Sequence, residues 1–469
     1  MNDTLKKFEH FEQSNDLFDL TIDHVPVWER IRNTIWNSIR FKNSRKQQNR
    51  ITENLDILKK TYLMLKNMLV KNPYMSKEND ILVYGTGRRR LEPNNKFWDV
   101  YFDPIYKSGL KNYIHLERPR NASHYSPIQT EDFKYIDLIL YGSQIPLKLG
   151  LEKPTIPNNV NKELIEIKEK IKNEFGVNVN IKTLVRDNLH LRKTRHFLFN
   201  KLLRRINPKV LIIECSYGKE TLIEVSKSLN IPVIELQHGI ITKHHLGYSY
   251  KNATKRMFPD YLLVWGDYWK ESAEIPLPDD RVISTGYPYL DYKKEEHNNI
   301  NTRKQVVFIS QDTIGEELSE LAVSLSQYDN FDYKIVYKLH PKEYQKWKGK
   351  YPNLLRADLR VVGGDGPGIY KLLAESSIQI GVYSTALFEG IAFGLDTYVY
   401  KISGWRSIEE LVNNGPAQVI SSPKQVLSLI GQSNKNEKSI HIFKNNGVKN
   451  TIEEINRIKN GGSTYDNTK

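Results

Sequence analysis

Short apolar runs alternating with helical segments constrain this chain more than any other feature. Lys209 to Cys215 (KVLIIEC) reads as a buried strand, Lys219 to Leu229 as a helix and Pro232 to Leu236 (PVIEL) as the next strand. That spacing implies a right-handed crossover between parallel strands. Tyr261 to Trp265 and Val282 to Thr285 continue the series. A second series starts at Val306 to Ile309 and runs through Tyr333 to Leu339, Leu359 to Val362, Ile378 to Val382 and Thr397 to Lys401. The segments Gly315 to Ser326, Ile369 to Ser376 and Thr385 to Ala392 fall between these runs as helices. The expected class is α/β, with two doubly wound parallel sheets.

The 469 residues suit two domains plus extensions, because domains usually hold about 100–200 residues. The polar stretch Lys293 to Arg303 reads as the linker. The expected organisation is a helical N-terminal extension (1–78), a first domain (79–296), a second domain (300–433) and a C-terminal tail (434–469). Within the first domain, Ile81 to Tyr84, Trp98 to Phe102, Tyr113 to Leu116 and Ile136 to Tyr141 are further strand candidates. In the extension, Val27, Ile31, Ile35 and Ile39 recur four apart beside Trp28 and Trp36. Such a stripe normally packs on a core, and contact with lipid is the other reading.

The single cysteine, Cys215, rules out an intrachain disulfide and Cys-rich zinc sites. It fits a reducing cytoplasm, and the first twenty residues hold no secretory apolar region. No run approaches the roughly 20 apolar residues of a membrane span, so the expected location is cytoplasmic, with peripheral attachment at the inner face of the plasma membrane open. The net charge of +14 is spread thinly, without a nucleic-acid-binding signature. It suits phosphorylated ligands or an anionic membrane surface better than nucleic acid.

Open parallel sheets bind ligands beyond the carboxyl ends of their strands, so residues just after strands are the candidates. Leu339-His340-Pro341 ends one strand, with Lys338 before the histidine; an imidazole there can donate to a phosphate oxygen. Tyr383-Ser384-Thr385 opens a helix, whose free N–H groups and hydroxyls suit an anion. Glu389 lies one turn further and is placed to accept from a ribose diol. Ser310-Gln311-Asp312 follows the first strand of the second series, so Gln311 can line a donor pocket. In the first domain Gln237-His238-Gly239 follows a strand, and His238 is a candidate general base. Glu214, or Glu220 after it, is the alternative base. His244 and His245 lie close by, but no acidic partner sits at ligand spacing and HExxH is absent, so no metal is expected.

The ordered set QHG, TGYPYLD, KLHP and YSTALFEG, within residues 209–405, resembles bacterial GT-B glycosyltransferases of the capsule-polysaccharide, sialyl- and Kdo-transferase type. It is also similar to the CDP-glycerol glycerophosphotransferases. The resemblance implies two Rossmann-like domains, with His340, Ser384 and Thr385 holding the nucleotide phosphates. It implies His238 as base by likeness to the glycerophosphotransferases. The sialyltransferase pattern, in which an acidic-acidic-glycine motif supplies the base, is matched only by Glu214 with Gly218. The implied activity is transfer of a sugar from a nucleotide-sugar donor to a glycan or lipid-linked acceptor, without a cofactor. Glycerophosphate transfer, 2-epimerisation of a nucleotide sugar and a non-catalytic polysaccharide-binding role are the alternatives.

Overall fold

The computed structural model describes residues 2–40, 42, 50–151, 154–250, 255–430 and 441–461. The first domain is built on seven parallel strands: β1 (Ile81–Tyr84), β2 (Tyr113–Glu117), β3 (Phe133–Tyr135), β4 (Val210–Ile213), β5 (Val233–Leu236), β6 (Tyr261–Val264) and β7 (Val282–Ser284). Their spatial order is 3-2-1-4-5-6-7. Every residue of β1 and β4 is buried. A sheet covered by helices on both faces needs such unbroken apolar strands.

The second domain repeats the plan with β8 (Arg303–Ile309), β9 (Lys334–Lys338), β10 (Arg360–Val362), β11 (Ser376–Gly381), β12 (Asp396–Tyr400) and β13 (Gln418–Ile420), ordered 10-9-8-11-12-13. Both sheets therefore reverse their winding beside their first strand, between β1 and β4 and between β8 and β11. That reversal is the switch point at which doubly wound sheets open a crevice. The chain has the two-Rossmann, GT-B architecture that the alternation of elements implied.

Three sequence expectations change. Trp98 to Phe102 gives only a short strand, Phe97–Asp99, paired antiparallel with Arg89–Leu91 outside the seven-stranded sheet. Ile136 to Tyr141 is not a strand. The edge strand β3 ends at Tyr135, and Leu138–Gly142 forms a wide helical turn. The buried Asp137 carboxylate pins that turn by accepting from Asn67 Nδ2 at 3.1 Å and meeting His124 Nε2 at 3.0 Å. The C-terminal segment is also more than a tail. Helix Gly447–Lys459 returns to the first domain, where Lys444 N–H donates to the Trp265 carbonyl at 2.7 Å and Asn450 Nδ2 to the Thr285 carbonyl at 2.8 Å. Gly266 allows the crossing, since a Cβ there would lie 2.2 Å from the His441 carbonyl. The sequence reads Gly461 to Lys469 as a frayed end, and residues 462–469 lie outside the described residues.

The stripe of the extension is core: Trp28, Ile31 and Ile35 are fully buried against helices Asn158–Phe175 and Ile181–Ile206. Arg32, buried itself, grips Glu12 through two hydrogen bonds of 2.6 and 2.8 Å. It also donates to the carbonyls of Leu246 (2.7 Å) and Ser249 (3.2 Å). The extension thus clamps the loop that follows β5.

Candidate functional site

One cleft of about 1080 Å³ lies where the carboxyl ends of the two sheets meet. The loop after β5 (Ile240 to His245) forms one wall, and Thr313, Tyr383 and the loop Lys401 to Ile408 form the other. The extension closes one side with Trp36 and Arg40. Among the described residues the lining includes Arg40, Lys401 and Arg406 and no carboxylate. It therefore suits an anionic ligand, with Trp36, Tyr383 and Trp405 supplying aromatic surface. A second open groove, about 1200 Å³, runs between helix Pro288–Glu296 and the C-terminal helix. Its charges are mixed and it lies away from the switch points, so it does not share this character.

None of the eight residues named from the sequence as catalytic or phosphate-binding candidates is among those lining the cleft. The Tyr383 ring covers the β8–β11 switch point: its hydroxyl is bonded to that of Thr313, and it packs against Gly404, where a Cβ would lie 2.5 Å from the ring. Ser384 directly follows. Its Oγ accepts from Ala386 N–H at 3.3 Å and caps helix Thr385–Ala392, leaving the hydroxyl proton available. Gln311 Oε1 is buried with no hydrogen-bond partner among the described residues.

His340 sits two strands from Ser384, with β8 between β9 and β11, a separation of about 10 Å at the usual strand spacing. Lys342 N–H donates to His340 Nδ1 at 3.2 Å, which leaves the ring proton on Nε2. Burial lowers the imidazole pKa, against the opposing charge of Glu343. His340 is therefore a neutral N–H donor. The turn carrying it is organised by Glu343, which is fully buried. That carboxylate accepts from His340 N–H (2.6 Å), Tyr351 Oη (2.6 Å) and Ser310 Oγ (3.0 Å), tying the ends of β8 and β9 together. Lys338 points elsewhere, donating to the Gly363 carbonyl at 3.0 Å.

Across the cleft, His238 Nδ1 lies 3.0 Å from Tyr248 Oη, and Tyr248 donates its proton to the buried Glu235. Tyr248 cannot also donate to the ring, so Nδ1 carries hydrogen and Nε2 is the acceptor. Tyr217 Oη sits 2.9 Å from Nε2 and donates to it. Burial, then His245, Arg88 and Lys219, hold the His238 pKa well below its ordinary value. The His245 ring, 6.2 Å away between centroids, connects His238 to the cleft wall. Among the described residues no group of three possible metal ligands occurs.

Glu214 and Glu389 stand differently from the expectation. Glu214 is buried and accepts from the buried Lys219 ammonium at 2.8 Å, so its charge is already matched. Glu220 accepts from Gly218 N–H at 2.8 Å, in the turn ahead of its helix. Glu389 is buried at the contact between domains, where the positive charge of Arg90 opposes the effect of burial on its pKa. Arg90 also lies over the rings of Tyr289 (5.5 Å) and Tyr370 (5.8 Å), one from each domain.

Sequence reasoning missed Glu235, Tyr248 and Glu343. One carboxylate inside the otherwise apolar PVIEL strand was a usable signal, since a fully buried acid needs a partner. An acid three residues after a histidine in a proline turn was another.

No family model matches the chain, and no curated protein does. Among solved structures it is similar to a UDP-GlcNAc 2-epimerase from Neisseria meningitidis bound to UDP-GlcNAc (13% identity, 81% of this chain and 99% of that one, TM-score 0.47). It is likewise similar to a putative UDP-N-acetylglucosamine 2-epimerase from Listeria monocytogenes (12% identity, 84% and 100%, TM-score 0.48). A wall teichoic acid polymerase is similar over 92% of this chain and 97% of that one, at 10% identity and a TM-score of 0.44.

Proposed function

We propose that the protein is a nucleotide-sugar-dependent glycosyltransferase acting without a cofactor, with His238 as general base and the second domain holding the nucleotide phosphates. The observation that carries this reading is the opposite presentation of two neutral histidines. His238 offers an acceptor nitrogen from the first domain and His340 a donor N–H from the second.

In the proposed reaction an acceptor hydroxyl displaces Tyr217 from His238 Nε2 and gives its proton to that nitrogen. The oxygen attacks the anomeric carbon, and the bond from that carbon to the phosphate oxygen breaks. The electron pair leaves with the nucleotide. His340 Nε2–H, the Ser384 and Thr385 hydroxyls and the start of helix Thr385–Ala392 are the groups suited to the charge that develops there. Lys401 and Arg406 on the cleft wall add positive field. The Arg90 counter-charge means that a ribose diol reaching Glu389 competes with it.

One observation favours His238 over Glu214: the Glu214 carboxylate is already engaged by Lys219. The test is release of free nucleotide from a panel of nucleotide sugars with glycan and lipid-linked acceptors. His238→Ala should lower turnover by about 10²–10⁴-fold, the usual weight of a general base, while donor binding persists. Full activity in His238→Ala, or epimer formation from UDP-N-acetylglucosamine alone, would overturn the reading.

A further inference from the structure

From Ile57 on, helix Arg50–Val70 turns an apolar side outward. Its inward face is marked by Met64 and Asn67, 7% and 5% exposed, with Asn67 bonded to Asp137. Leu58, Tyr62, Leu65 and Leu69 lie on the far side, roughly 160° around the helix. They are 69%, 66%, 55% and 88% exposed. This 4-3-4 spacing makes one continuous stripe, unlike the scattered single apolar residues of an ordinary surface. Ile145, on the helix Gln144–Lys148, instead shares a groove with Ile57 and Met64 on the inward side, so the stripe stands by itself.

The charges beside the stripe have one sign. Between Ile57 and Lys71 every charged residue is a lysine, and the segment Leu138 to Leu151 contains no acid. Lys59 and Lys66 are exposed on one shoulder of the stripe. A second copy of this face would bring lysines against lysines. An anionic lipid surface offers acyl chains to the leucines and phosphates to the ammonium groups. No described helix is long and apolar enough to cross a membrane, so the contact would lie in the plane of the interface.

We infer that the outward stripe Leu58, Tyr62, Leu65 and Leu69 of helix Arg50–Val70, with Lys59 and Lys66 beside it, docks the protein on an anionic bilayer surface. This surface is independent of the catalytic assignment. The test is flotation of the full chain with phosphatidylcholine vesicles, with and without phosphatidylglycerol, alongside light scattering for mass in solution. The wild type should float with the anionic vesicles and fail to float with the neutral ones. Leu65→Glu with Leu69→Glu should remain unbound while its unfolding temperature is unchanged, because both side chains are exposed. Lys59→Gln and Lys66→Gln should each weaken partitioning about fivefold. Three results would overturn the inference: no flotation of the wild type, equal flotation of the leucine variant, or a wild-type dimer, without flotation, that the leucine variant splits.

Discussion

Glu343→Gln tests how the second domain positions His340. The carboxylate is fully buried and accepts three hydrogen bonds, at Oε2 from His340 N–H and at Oε1 from Ser310 and Tyr351. A bond to an ionised group contributes about 1.5–3 kcal/mol and a neutral one about 0.5–1.5 kcal/mol. Loss of charge alone should therefore cost about 1 kcal/mol per bond, or about 3 kcal/mol for the set. The amide has a tolerable rotamer, since its NH₂ can face the two hydroxyls while its oxygen keeps the His340 N–H. The estimate excludes any cavity term because volume is conserved. Urea unfolding measures it, and Ser310→Ala, which removes one of the three bonds, should cost about 1.5–3 kcal/mol. A Glu343→Gln variant within about 0.5 kcal/mol of wild type would refute the claim that this carboxylate holds the turn.

Three further outcomes are expected. Tyr248→Phe removes the group that fixes the His238 tautomer, so the Nε2–H form should become populated by ¹⁵N NMR and turnover should fall, while donor affinity is retained. Burial lowers His245 to about 4, so between roughly pH 6.5 and pH 4 the unfolded chain binds the proton that the folded chain refuses. Stability should be intact above that window and fall by about 3 kcal/mol on acidification through it, and His245→Asn should flatten the decline. Arg32→Ala leaves the buried Glu12 without its counter-charge, with only the Trp28 Nε1–H bond remaining, and should cost about 3–5 kcal/mol, measured by denaturant unfolding. It should also impair turnover, because the carbonyls of Leu246 and Ser249 lose their donor.

The fold was legible because β4 and β5 are apolar runs of strand length bounded by turn residues, and because crossovers between such runs have one allowed hand. Ile136 to Tyr141 misled for the same reason: an apolar run that short fits a strand or a helical turn equally. What separates them is the buried Asp137, whose partners Asn67 and His124 are distant in sequence. His238, His340 and Ser384 were readable as residues ending strands or opening a helix. Their hydrogen-bond partners were not, since Tyr217 and Tyr248 approach His238 from two different loops. Ile452 to Ile458 reads as helical in the sequence, and Ile455 and Ile458 are buried, but the domain that this helix joins is not visible there. Glu214 looked like a base because only the folded turn brings the Lys219 ammonium to it.

Nucleotide binding is the most direct probe of the central claim. Thermal unfolding of the wild type and of His340→Ala can be compared with CMP, CDP, UDP, GDP and their sugars. At 100 times its dissociation constant a ligand for the cleft should stabilise the wild type by about 2.7 kcal/mol, and His340→Ala should lose most of that gain. Stability indifferent to every nucleotide, or a full gain persisting in His340→Ala, would contradict a phosphate site beyond β9 and β11.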